Sequence, residues 1–395
     1  MSDCDLLVVG AGPAGAATAL GALHADPGLR VLLLDRADFP RDKACGDGVA
    51  PHVLDRLAEV GVTGLLDDRT PVPRLRLVRG ERGVERTMAR PSYVVPRAVL
   101  DARLVAAAVR AGAQLMRHRV RDVRVHDDRV VVDGREAPVV VGADGPHSVV
   151  RRALGLATGR RALAIRGYAP LAAGREGAQV IAFATTRQPA YAWSFDLGDG
   201  RANVGYGEVL PADGTAGPSR AELLERLEEL LPGAGRDGTD WVGHHLPLSG
   251  PRWRPAGGRV LLAGDAAGLV NPMTGEGIYY AVVTGIEAGR AAAAALAAGS
   301  TAAAGAAGAG ARYARATRAH LLPHLRHTAA AARLSLSGRV LDAGIGAAAA
   351  DQRVFDDLVE LGLARGRITP RLARGLVGGL LGTTTTREET RPCAS

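Results

Sequence analysis

The stretch LLVVGAGPAGAATAL, residues 6–20, sets a short apolar run ahead of Gly10, Gly12 and Gly15 and a helix of small residues behind them. An apolar strand that turns through G-x-G-x-x-G into a helix seats a pyrophosphate on the helix N-terminus, where unpaired amides and the macrodipole favour negative charge. Pro13 and Ala14 open that helix, and residues 30–34 follow as the next strand, ending in Asp35. An acid about twenty residues past the glycines sits where ribose hydroxyls are bound and argues against a 2′-phosphate. The unit reads as dinucleotide binding. A second stretch, VLLAGDAAGLVNPMTGEGI, residues 260–278, puts Gly264 and Asp265 at a strand end and Gly275, Gly277 and Ile278 at a glycine-rich helix entry. The two together favour FAD over NAD.

Working outward, 395 residues with 47% hydrophobic content suffice for two or three subdomains. Net charge is +8, and all the basic residues except Lys43 and the histidines are arginine in a chain rich in alanine and glycine. That pattern reads as compositional bias rather than as a nucleic-acid surface, since no basic run is interleaved with stacking aromatics. Cys4, Cys45 and Cys393 are too scattered for a disulfide framework or a zinc site. The start, MSDCDLLVV, has acids where a secretory signal needs basic residues, so a cytoplasmic, reducing location is expected. The Ala/Gly run at 291–311 is too weakly apolar to span a bilayer and is expected to be helix and loop.

Periodicity predicts a helix at 49–60, a basic strand-like stretch at 74–88, a helix at 97–111 and strands near 114–125, 129–132 and 138–143. Period-2 segments between 162 and 250 predict an antiparallel sheet, interrupted by a helix at 220–231. A strand at 259–263 and a long helix from 275 return the chain to the first domain. The expected fold is therefore α/β. It combines a discontinuous Rossmann-like FAD-binding domain (1–73, 95–160, 251–299) with an antiparallel-sheet substrate domain (74–94, 161–250). A helical C-terminal region (300–382, with helices at 312–336, 351–365 and 369–381) and a disordered tail (383–395) complete it.

GAGPAG, the loop GADGPHS at 142–148 and GDAAGLVNPMTGEGI resemble the three sequence marks of the flavoprotein superfamily that includes para-hydroxybenzoate hydroxylase. The resemblance implies that Asp265 binds the ribityl chain and that Gly275, Gly277 and Ile278 bring amides to the flavin pyrimidine. It also implies that Asp144 and Arg97 contact the cofactor, with Arg36 and Val120 in the same set. Within the superfamily, FPRDKACGDGVAPHVLDRLAEVG (39–61) and PAYAWSFDLGDGRANVGYGE (189–208) are similar to the geranylgeranyl reductase family. Gly268 stands where hydroxylases usually carry histidine, and Cys45-Gly46-Asp47-Gly48 departs from the halogenase pattern, so both readings are demoted. Asp196 replaces a proline common in the reductases.

The family likeness implies FAD-dependent reduction of C=C bonds in an isoprenoid substrate, with Cys45, Gly46 and Gly48 beside the flavin. Tyr191, Trp193 and Phe195 alternate on one strand and share a face, either as core or as an apolar wall for a prenyl substrate, while Tyr191, Glu276 or an ordered water is the candidate proton donor. No second nucleotide unit is legible, so the electron donor is NADPH at the FAD face or a ferredoxin. The rival readings are a flavin monooxygenase acting on a small hydrophobic compound and a flavin-bearing lipid-binding protein without turnover. The Arg-rich C-terminal helices either pack back on the domain or make a peripheral membrane contact. His320, His324 and His327 share a helical face. Pro323 should interrupt that helix and no acid is expected nearby, so a solvated basic face is expected and no metal site.

Overall fold

The computed structural model describes residues 3–211, 217–298 and 302–382, of which 302–307 by backbone only. The apolar runs of the N-terminal half form a parallel sheet in the order Val260–Leu262, Val139–Gly142, Leu6–Val9, Val31–Asp35, Gln114–Arg117. The first four of these strands are buried throughout, as expected where both faces of a parallel sheet are covered. On one face, helices Pro13–Ala25 and Ile278–Ala297 pack almost in backbone contact. A Cβ at Gly289 would stand 2.1 Å from the carbonyl oxygen of Thr18 and one at Gly285 2.3 Å from that of Ala14, so glycine sets this approach. The other face carries a three-stranded sheet of Val123–Val125, Val130–Val132 and Arg135–Ala137.

The second layer is an eight-stranded sheet. Its order is Thr239–Pro247, Arg161–Pro170, Arg201–Val209, Ala190–Asp196, Ala178–Phe183, Pro71–Arg79, Arg82–Val94, Gly48–Val49. Every pairing is antiparallel except that of Ala178–Phe183 with Pro71–Arg79. The basic stretch expected at 74–88 is a hairpin of two strands turning at Gly80 and Glu81. One sheet face is closed by helix Arg220–Leu230, whose start carries a capping box between Ser219 and Glu222. Ala192, Val204 and Tyr206 point to that helix with Leu223 and Leu227. The alternate residues Tyr191, Trp193 and Phe195 point the other way, towards the parallel-sheet layer.

The C-terminal region departs most from expectation. Helix Ala302–Leu334 runs through Pro323 without ending. It is held on both sides of the proline: the Tyr313 hydroxyl donates to the Leu262 carbonyl at 2.7 Å, and His324 lies 2.6 Å from the Tyr280 hydroxyl. Those anchors outweigh a local penalty of about 3 kcal/mol. His324 is buried, with its Nδ1 facing the Gly366 carbonyl at 2.7 Å, so it donates there and accepts from Tyr280. His320 lies 3.6 Å from the buried Glu287 carboxylate. At His324 this face is thus a packing seam rather than a solvated surface, while His320 stays exposed with an acid beside it. No cluster of three or more metal-ligating side chains is found among the described residues. A helix that periodicity missed, Gly338–Ala350, packs on the hairpin, followed by Gln352–Leu363 and Pro370–Leu380. The expected disordered tail lies outside the described residues.

Candidate active site

One cavity of about 840 Å³ runs between the two layers, from Gly10 and Asp35 past Tyr191 to Leu372 and Leu376. At its polar end, strand Leu6–Val9 turns into helix Pro13–Ala25, whose N-cap residue Gly12 makes no side-chain cap. The first-turn amides there suit an anionic group. Gly10, Gly12, Pro13, Ala14, Asp35, Arg36 and Val120 line this end. Asp35 accepts from the Ala11 amide at 2.8 Å and the Ala37 amide at 3.0 Å, which fixes its carboxylate at the strand end. Gly15 does not line the cavity. A Cβ there would fall 1.7 Å from the Gly10 carbonyl oxygen, so its role is to let helix and strand meet.

Towards the middle, Asp265 and Lys43 form an ion pair of 2.9 Å across the cavity wall. Burial opposes ionisation of Asp265, but the Lys43 ammonium outweighs it and holds the carboxyl below its usual range. Beside them, burial and then the Lys43 charge press the His244 imidazole down to about 4, and its buried Nε2 has no partner among the described residues. Arg97 is buried and gripped by Asp101, with Nε to Oδ1 at 2.7 Å and Nη2 to Oδ2 at 2.8 Å. Arg41 joins the same carboxylate at 3.0 Å. Asp144 accepts from the Ser148 hydroxyl and from the Val149 amide at 2.6 Å, starting the short helix Val149–Ala153. Gly264 lies behind the wall, its amide donating to Thr284 at 2.9 Å. A long groove with an uncapped helix N-terminus, paired charges and an orphaned imidazole nitrogen fits FAD. The residues that would hold it are those of the 10–15, 35–48, 97, 120, 144 and 264–278 segments.

The middle of the cavity is built from both layers. Cys45, Gly46 and Gly48 line it from below, and Tyr191, Trp193, Gly275, Glu276, Gly277 and Ile278 converge on it. Tyr191 and Trp193 have ring centroids 5.9 Å apart, and Trp193 and Phe195 6.4 Å, which makes one continuous aromatic wall. Tyr191 donates to the Thr274 carbonyl, tying that wall to the second glycine turn. The Glu276 carboxylate accepts from the Tyr279 amide at 2.8 Å at the start of helix Ile278–Ala297, and burial raises it to about 7. It is half protonated near neutral pH. Burial pushes the Cys45 thiol up despite the nearby Arg97, so the sulfur stays protonated and is a poor nucleophile.

Sequence reading missed a buried network behind this wall. Asn203 accepts from Trp193 Nε1 at 2.8 Å and donates to the Asp47 carboxylate at 2.8 Å and the Cys45 carbonyl at 2.9 Å. Asp47 also accepts from the Tyr168 hydroxyl at 2.6 Å, and burial lifts its carboxyl to about 6. The Arg166 guanidinium stacks over the Tyr168 ring at 4.6 Å and reaches Asp42 at 2.7 Å. These contacts hold the Cys45-Gly46-Asp47-Gly48 loop against the aromatic strand. The far end of the cavity was missed as well. There Asn271 and Thr274 donate to the carbonyls of Leu361 and Gly362, so the second glycine turn is pinned to the C-terminal helices.

These features define an FAD-dependent oxidoreductase with two sheet layers around a shared cavity. The FAD binding domain family matches residues 3–187. The chain is 38% identical over 320 residues to a menaquinone reductase of Mycolicibacterium smegmatis, covering 73% of this chain and 75% of that protein. It is 33% identical over 313 residues to digeranylgeranylglycerophospholipid reductase 2 of Methanopyrus kandleri, covering 74% and 77%. In fold it is similar to a geranylgeranyl bacteriochlorophyll reductase-like protein of Thermoplasma acidophilum. The TM-score is 0.75 at 20% identity, over 96% of this chain and 98% of the other. The chain belongs to the geranylgeranyl reductase family of FAD-dependent flavoproteins.

Proposed function

We propose that the protein reduces C=C bonds of an isoprenoid chain, carried on a prenyl lipid or on a quinone of the menaquinone type. The observation that carries this reading is the continuity of the cavity, which joins the flavin cleft to an apolar arm lined by Phe183, Tyr191, Ile345, Leu358, Leu372 and Leu376. A polar substrate finds little to bind in that arm. A hydrocarbon chain fills it with apolar contact. The relatives named for reducing menaquinone and digeranylgeranylglycerophospholipid, both isoprenoid compounds, support the same class.

FAD held in the cleft, once reduced by the electron donor, would supply the hydride. The residues of the chain do the rest: the aromatic wall excludes water and orients the alkene, and Glu276 holds a proton at its carboxyl near neutral pH. An isolated alkene accepts hydride poorly, so a proton must be available as hydride arrives. Tyr191 is the less suited donor, because burial and then the Glu276 charge push its hydroxyl well above the ordinary phenol range. Asn203 and Asp47 act as positioning residues, keeping Cys45, Gly46 and Trp193 in register. Reducing equivalents enter from NADPH at the flavin face or from a ferredoxin. A cytoplasmic location with a peripheral membrane contact belongs to this proposal. No helix among the described residues is long and apolar enough to cross a membrane.

The test is anaerobic. The flavoprotein is reduced chemically, mixed with geranylgeranyl compounds and menaquinones, and the products are weighed by mass spectrometry. A gain of two hydrogens per reduced bond, with flavin reoxidised in proportion, is expected. Failure to reduce any prenyl compound while flavin is retained favours a carrier without turnover. Flavin oxidation only in oxygen, coupled to hydroxylation, favours a monooxygenase.

A further inference from the structure

The apolar arm ends between three helix termini. Leu334 closes helix Ala302–Leu334, Val340 and Leu341 open helix Gly338–Ala350, and Leu376 lies near the end of helix Pro370–Leu380; all four line the cavity. The last two helices run antiparallel in close contact, with Gly379 against Ala343 and Gly375 against Ala347. Their packing brings residues 380–382 beside the start of helix Gly338–Ala350. Leu334 lines the cavity and is also 45% exposed, so the arm reaches the surface here.

Around that opening the surface is unusual for this molecule. Leu334, Leu336, Val377, Leu380 and Leu381 account for five of the eleven exposed large apolar side chains among the described residues, and Leu381 is 73% exposed. These five lie in the last turn of, or just beyond, helices Ala302–Leu334 and Pro370–Leu380, the ends that border the arm. Exposed Arg333 and Arg339 stand at two of the three helix ends and exposed Arg374 mid-way along helix Pro370–Leu380, its Nε donating to the Pro370 carbonyl at 3.3 Å; none makes an ion pair among the described residues. The one acid in residues 331–350 and 370–382, Asp342, is neutralised by Arg79 at 2.8 Å. Leucines flanked by arginines without ion pairs match a bilayer interface, with acyl chains under the apolar tip and anionic head groups against the guanidinium groups.

We infer that the converging ends of these three helices form a docking portal on an anionic lipid surface, through which a prenyl chain passes from the bilayer into the cavity. The inference rests on the proposed reduction of a prenyl substrate and adds how that substrate arrives. A chain buried in a membrane need not enter water, because the leucine rim is continuous with the apolar arm. The flavin opening is left free for the electron donor.

The experiment is vesicle flotation of the full-length flavin-loaded protein, using phosphatidylcholine vesicles with and without phosphatidylglycerol. The wild type should bind phosphatidylglycerol vesicles, less at high salt. The variant Leu336→Ser/Leu380→Ser/Leu381→Ser should bind at least about tenfold more weakly. Arg333→Gln/Arg339→Gln/Arg374→Gln should also bind about tenfold more weakly and lose the salt dependence. All six side chains are exposed, so flavin content, melting temperature and reduction of a short, water-soluble prenyl alcohol should stay at wild-type values. Either variant floating like wild type overturns the inference. So does a wild type that reduces the soluble prenyl alcohol but binds no vesicle, or a leucine variant whose changed property is self-association in solution. Vesicle binding without reduction of any prenyl compound overturns the reading of the site, and the portal falls with it.

Discussion

At the flavin end of the cavity the wall is made of backbone and charge: Gly10, Gly12, the first-turn amides of helix Pro13–Ala25, and the Lys43–Asp265 and Arg97–Asp101 pairs. At the far end it is made of Ile345, Leu358, Leu372 and Leu376, carried on helices that have no counterpart in the glycine motifs. The first kind of wall tolerates few substitutions, because a Cβ at Gly15, just behind it, would stand 1.7 Å from the Gly10 carbonyl oxygen and one at Gly10 2.4 Å from that of Ala143. The second tolerates many, because any apolar side chain of similar volume packs. On the proposed function, cofactor binding is therefore specified narrowly and substrate length loosely. Glu276 and Tyr191 stand at the seam, where the second glycine turn meets the aromatic strand.

The strongest attack on this contrast is Gly15→Val. Its side chain has no space against the Gly10 carbonyl, and overpacking of this kind costs more than about 3 kcal/mol. Purified variant should lack flavin absorbance or fail to fold; retention of flavin would break the claim that this end is backbone-limited. Next is Glu276→Gln, which keeps an acceptor for the Tyr279 amide but removes the titrating proton. It should lower kcat by about 10²–10⁴ with flavin affinity and KM little changed. In the wild type the donor form of Glu276 is lost as pH rises through about 7, so the single-turnover rate should fall above that pH and the fall should vanish in the variant. A persistent pH break would assign the proton to another group.

A smaller effect is expected at the far end. Gly344 lines the cavity, and a Cβ there would meet Leu376 at 3.6 Å, so Gly344→Phe projects a ring into the arm. It should reduce kcat/KM for long prenyl chains by roughly ten- to a hundredfold while sparing short ones. Equal loss on both would show that the arm does not gauge chain length. The smallest effect is expected for Tyr191→Phe, which removes the hydrogen bond to Thr274 and keeps the ring. Chemical denaturation should report a loss of about 1 kcal/mol, with catalysis lowered far less than in Glu276→Gln.

Legibility followed the same division. The parallel sheet and its two glycine turns were readable because Gly10, Gly12, Gly15 and Gly275 answer to local backbone demands. The buried runs at 6–9, 31–35 and 139–142 carry their apolar character in consecutive residues. Asn203 was not readable: its partner Asp47 lies 156 residues away, and an asparagine inside a strand announces nothing until the sheet is folded. Helix Gly338–Ala350 escaped because a run such as DAGIGAAAA has no polar face to set a period. Pro323 misled for the opposite reason, since a local breaker rule was overruled by anchors at Tyr313 and His324.

The chain alone determined that a dinucleotide-type cofactor binds between an apolar strand and a glycine-opened helix. It also determined that three aromatics share one face of a later strand. Both are short-range properties, set by steric limits on the backbone and by side-chain alternation. Only the tertiary structure decided that Lys43 answers Asp265, that Asn203 locks the loop of Cys45 to Trp193, and that the C-terminal helices finish the cavity with an apolar arm opening among leucines. Those outcomes depend on which distant surfaces exclude water together, and no local pattern encodes that choice.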